Sequence, residues 1–140
     1  MTTFNARITV LLALGVPLLT ALTASGASPA PCQVLPAEVW SSIMGYAATA
    51  TPGDMNCTYL SKAGGGQFRI IANVASPAEA TAAAKRMRDR EQGSHNASLA
   101  MVDSQGTVVF SIALFQRAAT DSTASQLQKL VAAAKQRLPK

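Results

Sequence analysis

The sequence predicts an exported α+β domain: a four-stranded antiparallel sheet with helices packed on one face, stapled by one disulfide. Three observations carry that prediction. Two stretches, 57–74 and 97–115, alternate apolar and polar residues on either side of a turn-forming segment, the pattern of a β-hairpin. Helix-periodic segments stand before, between and after them, giving the order helix–hairpin–helix–hairpin–helix, with two strand–strand–helix halves. An apolar leader followed by just two cysteines, Cys32 and Cys57, places the remainder in an oxidising compartment, where the pair is expected to bridge.

The leader, residues 1–27, reads as a signal peptide. Arg7 and the amino terminus give a basic start, and Ile8 to Leu22 is apolar apart from Thr9, Gly15, Pro17 and Thr20. Cleavage after Ala27 places Ser25 and Ala27 at the two positions that need small side chains. The apolar run is about 15 residues, short of the ~20 that span hydrocarbon as a helix, so a periplasmic or secreted protein is expected rather than a retained anchor. Residues 28–140 then form one domain, a size that buries roughly two thirds of its unfolded surface. The whole chain carries +5, and Arg7 is the one basic residue before Ser28. An excess this mild favours solubility and anionic surfaces but does not argue for nucleic acid.

Residues 28–36 are too rich in Pro and Ala for a strand and read as a tether. Pro36 then suits the first turn of a helix, and Glu38 meets the positive end of its dipole. Val39 with Ile43, and Trp40 with Met44, form an apolar stripe, and Gly45 can end the helix in a left-handed cap. Ala47 to Asn56, containing Pro52-Gly53-Asp54, reads as a loop. Cys57 to Ser61 is the first expected strand, Lys62 to Gln67 a connection with a flexible Gly64-Gly65-Gly66 tip, and Phe68 to Val74 the second strand. In that strand Phe68, Ile70, Ala72 and Val74 are placed on one face. Ser76-Pro77-Ala78-Glu79 is a helix start, with a serine cap and a glutamate three residues on. That helix runs to about Glu91 and stops near Gly93. Ala97 to Val102 and Thr107 to Phe115 are the third and fourth strands around a turn at 103–106. The last helix begins near Asp121 or Ser122 and carries Leu127, Leu130, Val131, Ala134 and Leu138 at helical spacing. Both long helices are expected on one sheet face. A Cys32–Cys57 bridge closes about 25 residues, which corresponds to roughly 3.5 kcal/mol in the chain-entropy treatment.

The run Pro31-Cys32-Gln33-Val34-Leu35-Pro36-Ala37-Glu38-Val39, followed by Gly45, Cys57 and Tyr59, resembles a loose family of small exported bacterial domains, best known as actinobacterial lipoproteins of unknown function. They share a cysteine, aliphatics, a Glu-Val helix, a glycine, and a second cysteine just before an aromatic. The resemblance implies an extracytoplasmic α+β domain and supplies no catalytic residues. The prolines before Cys32 fit a lipid-attachment motif poorly.

The sequence carries few groups of catalytic or metal-binding type. His95 is the only histidine, and no carboxylates accompany it at metal-ligand spacing, so neither a metal nor a cofactor is expected. Ser94, His95 and Asp103 are the residue types of a hydrolase triad without a nucleophile-elbow motif. Gly64-Gly65-Gly66 lacks the helix start a phosphate cradle needs. Lys85, Arg86, Arg88 and Arg90 form a basic run; Lys85, Arg86 and Arg90 are a candidate anion-facing surface, without the aromatics of a single-strand binder. Asn56 and Asn96 head glycosylation patterns of a kind that arises by chance. The most suggestive feature is the second sheet face, with Leu60, Ile71, Val109, Ala113 and Phe115 among Thr58, Arg69, Asn73 and Ser111. It is read either as an interaction surface or as core beneath the first helix. The expected function is a non-enzymatic binding or protein-interaction domain of the bacterial envelope, its partner an envelope protein or small ligand. The alternatives are an inhibitor or accessory subunit of an envelope enzyme, and a small hydrolase using Ser94, His95 and Asp103.

Overall fold

The computed structural model describes residues 29–92, 99–115 and 120–140. The expected signal peptide lies outside these, as do Ser94, His95 and Asn96. The described chain runs α1 (Pro31–Val34), α2 (Ala37–Met44), β1 (Thr49–Pro52), β2 (Asn56–Leu60), β3 (Gly65–Asn73), α3 (Pro77–Glu91), β4 (Ala100–Gln105), β5 (Val108–Phe115) and α4 (Asp121–Arg137). All strand pairings are antiparallel, in the order β1-β2-β3-β5-β4.

The sheet has five strands rather than four. The extra one, β1, occupies the expected loop, because Thr49-Ala50-Thr51 alternates and the Pro52-Gly53-Asp54 turn signal marks a hairpin tip. There the Gly53 amide donates to the Asn56 carbonyl at 2.8 Å. Pro52 is tolerated because β1 lies at the sheet edge. The expected tether is also structured. Pro31 starts the single turn α1, where its missing N–H is no loss. Val34 and Leu35 are buried, and the Cys32–Cys57 disulfide ties this turn to β2 with the Cα atoms 5.0 Å apart. The Tyr59 hydroxyl donates to the Leu35 carbonyl.

One sheet face, here called the near face, meets α1, α2 and α4. Its core holds Trp40, Tyr59, Phe68, Phe110, Ile112 and Leu130. Trp40 lies flat on Tyr59, ring centroids 4.0 Å apart and planes within 6°. The glycine run is not a flexible tip: Gly65 and Gly66 are buried in β3. A Cβ at Gly66 would overlap the Trp40 ring and the Ala113 carbonyl, so glycine at this position is what lets the indole lie against the strand. α2 ends at Gly45 in the left-handed region, φ 80°, and Gln126 of α4 donates to the free Met44 carbonyl at 3.3 Å.

The helices do not share one face. A bulge at Ile70–Ala72 puts one extra residue in β3, so the alternation shifts. Phe68 and Ile70 point to the near face, whereas Ala72 and Val74 join Ile71 on the opposite, far face. There they meet α3 through Ala80, Ala84 and Met87, together with Val102 and Val109. α3 is capped as expected, with the Ser76 hydroxyl accepting from the Glu79 amide at 3.2 Å. α4 starts from Thr120, whose hydroxyl accepts from the Thr123 amide at 3.3 Å while the Thr123 hydroxyl accepts from the Thr120 amide at 3.2 Å. β4 extends into the expected turn as far as Gln105, leaving a tight turn at 106–107 with Gly106 at φ 54°.

Candidate functional site

α3 covers one part of the far face and leaves the rest open. Register places Leu60, Gly65 and Phe115 in one cross-strand row. The next row is Thr58, Gln67 and Ala113, and the third is Asn56, Arg69 and Ser111. In the first row Leu60 and Phe115 are 55% and 54% exposed, on either side of Gly65. Met55, just before β2, is exposed as well. Leu60 and Phe115 are thus accessible apolar side chains on one face, set among the polar Thr58, Gln67, Arg69 and Ser111.

Arg69 stands between two hollows. On one side a cleft of about 370 Å³ separates the sheet from the last turns of α3. Its floor is Ile71, Val102 and Ser111, its wall Met87, Arg90 and Glu91, and Arg69 closes its rim. On the other side a depression of about 360 Å³ is lined by Asp54, Met55, Asn56, Gln67 and Arg69. Among the described residues neither Arg69 nor Arg90 enters an ion pair, and both are exposed.

The expected surface residues therefore separate. Leu60, Arg69 and Phe115 lie on the open part, and Ile71 is half-buried at the base of the cleft. Val109 is fully buried beneath α3, so it is core. The cover over it is α3, not the first helix, because Trp40 and Met44 belong to the near-face core. Asn73 lies past the bulge, opposite Val108, and accepts from the Thr107 hydroxyl at 2.6 Å; it is not part of the open surface. Met55 and Met87 are the residues sequence reasoning missed. Met87 and Glu91 are four apart on α3, a spacing that had put them on one helix face all along.

The basic run divides as well. Lys85 pairs with Asp89 at 2.7 Å on the exposed side of the helix. Arg86 is exposed, and Arg90 turns to the cleft. Arg88 reaches the edge strand β4, donating to the Val102 carbonyl at 2.9 Å and to Asp103 at 3.3 Å. Lys135 of α4 takes the other Asp103 oxygen at 3.1 Å. Asp103 thus links the helices of the two faces around the β4 edge, which is blunted against pairing with another chain.

Among the described residues no group of three or more His, Cys, Asp or Glu side chains is placed to hold a metal ion, and no helix is long and apolar enough to cross a membrane. The Cys32–Cys57 bridge is compatible with an extracellular location. No family model, no curated protein and no solved structure matches the chain.

Proposed function

We propose that the protein is an exported, non-enzymatic binding domain of the bacterial envelope, released from its signal peptide near Ala27, and that its contact surface is the uncovered part of the far face. The observation that carries this reading is the row of Leu60, Gly65 and Phe115: two large apolar side chains more than half exposed on one sheet face, beside Arg69, which enters no ion pair among the described residues. Buried apolar centres with an arginine at the margin are the usual energetic anchors of an interface. An inhibitor or accessory subunit of an envelope enzyme is one form such a domain takes. The hydrolase alternative draws no support from Asp103, whose carboxylate is engaged by Arg88 and Lys135.

Site-specific photo-crosslinking in the native envelope tests the proposal. A photoreactive residue at position 60 or 115 is expected to give the same discrete adduct, lost on Arg69→Glu. The same residue at Lys129, exposed on α4, should give none. Equal labelling from all three positions would refute it.

A further inference from the structure

We propose that the cleft between α3 and the sheet binds a small amphipathic anion, an apolar body bearing one carboxylate or phosphate. The inference rests on the reading of the far face as the binding surface, and names a ligand class for its α3 side. Volume sets the size. A cleft of about 370 Å³ lies at the small end of ligand sites (~300–1,000 Å³). At ~30 Å³ per water-sized group it holds about a dozen non-hydrogen atoms.

Chemistry sets the class. The floor and wall offer Ile71, Met87 and Val102, an apolar bed contributed by three different elements. Two guanidiniums stand at the cleft, Arg69 from the sheet and Arg90 from the helix, and the Ser111 hydroxyl lies in the floor between strands. Among the described residues Glu91 is the single acidic one lining the cleft, so the fixed charge they contribute is net positive. A planar guanidinium pairs with a carboxylate or phosphate through two parallel hydrogen bonds. An arginine on each side of an apolar bed therefore selects a ligand with an oily body and an anionic end, against a neutral or cationic molecule of the same shape.

The test uses residues 28–140 with the disulfide intact and three probes that differ only in their head group: octanoate, 1-octanol and octylammonium. Inorganic phosphate serves as the head group alone. Affinity is read by calorimetry, and the site by methyl chemical shifts of Ile71 and Met87. Octanoate is expected to bind at least about tenfold more tightly than 1-octanol, one charge-assisted contact being sufficient for that ratio, with both methyls shifting and octylammonium and phosphate binding weakest. The preference should disappear in the Arg69→Gln, Arg90→Gln double variant, weaken at high salt, and persist in Lys129→Gln. Octanol binding as well as octanoate, unmoved Ile71 and Met87 methyls, an arginine-independent preference, or no binding of octanoate would each overturn the proposal. Failure of the two readings can be told apart. Position-specific adducts at 60 and 115 without octanoate binding remove the anion site alone. Arginine-dependent octanoate binding without adducts supports the anion site and removes the macromolecular partner.

Discussion

Gly66→Ala is the sharpest test of how the near-face core is built. Taken alone, a glycine-to-alanine change in a strand restricts the unfolded chain and stabilises by about 0.4–1 kcal/mol. Here the added Cβ overlaps the Ala113 carbonyl and Cη2 of Trp40, and lies 2.6 Å from Cζ2 of the same ring. Trp40 has no room to retreat, because its other side is stacked on Tyr59 at 4.0 Å. Overpacking of a filled core costs about 1–3 kcal/mol, and displacing the ring forfeits part of a stack worth about 0.5–1.5 kcal/mol. The net expectation is a loss of about 2 kcal/mol, a large share of a typical ~5–15 kcal/mol stability. Urea unfolding followed by fluorescence reads it directly, since Trp40 is the single tryptophan. With a urea slope of about 2 kcal/mol/M the midpoint falls by about 1 M. Trimming the indole in Gly66→Ala, Trp40→Phe, with this cycle followed by circular dichroism because the tryptophan is gone, should recover part of the loss, giving a coupling energy of about 1 kcal/mol between these touching residues. A Gly66→Ala protein as stable as the parent would show that the glycine run is a flexible tip after all and that Trp40 does not rest on it.

Replacing Cys32 and Cys57 together by serine should lower stability by about 3.5 kcal/mol for a 25-residue separation; an unchanged urea midpoint would mean that the bridge constrains nothing the fold does not already hold. Burial pushes the Tyr59 phenol above its usual range. The unfolded chain therefore ionises first, so stability should hold below pH ~10 and fall as the pH rises beyond it. Tyr59→Phe should remove that part of the alkaline loss while costing about 1–3 kcal/mol at neutral pH, because the buried Leu35 carbonyl loses its donor. Asp103→Asn weakens two half-exposed ion pairs and should cost only about 1 kcal/mol; a loss several times larger in urea unfolding would give the β4 clamp a greater role than its exposure allows. Phe115→Asp should fold normally by circular dichroism and lose its crosslinks, whereas Val109→Asp should not fold, and the opposite pattern would reverse the assignment of open and covered surface.

Local rules were sufficient for much of this protein. Ser76-Pro77-x-Glu79 carries its own helix start, Gly45 its own stop, and the alternating runs their own strands, because capping and pleat periodicity act within a few residues. Two cysteines in a chain with an apolar leader were enough to expect the bridge. The strand β1 was hidden because Thr49–Pro52 is too short and too polar to declare itself, and becomes a strand only by pairing with β2. The cover over the far face was hidden for a different reason. One extra residue near Ile71 moves Ala72 and Val74 across the sheet, and that shift brings α3 to the side opposite α4. An insertion in one strand is defined only against its partner's register, so no pattern within β3 announces it. α3 on that side buries Val109, leaves Leu60 and Phe115 uncovered, and sets Arg90 across the cleft from the sheet that carries Arg69. Chain-local chemistry chose the elements, while long-range pairing decided which residues face solvent and which meet the core.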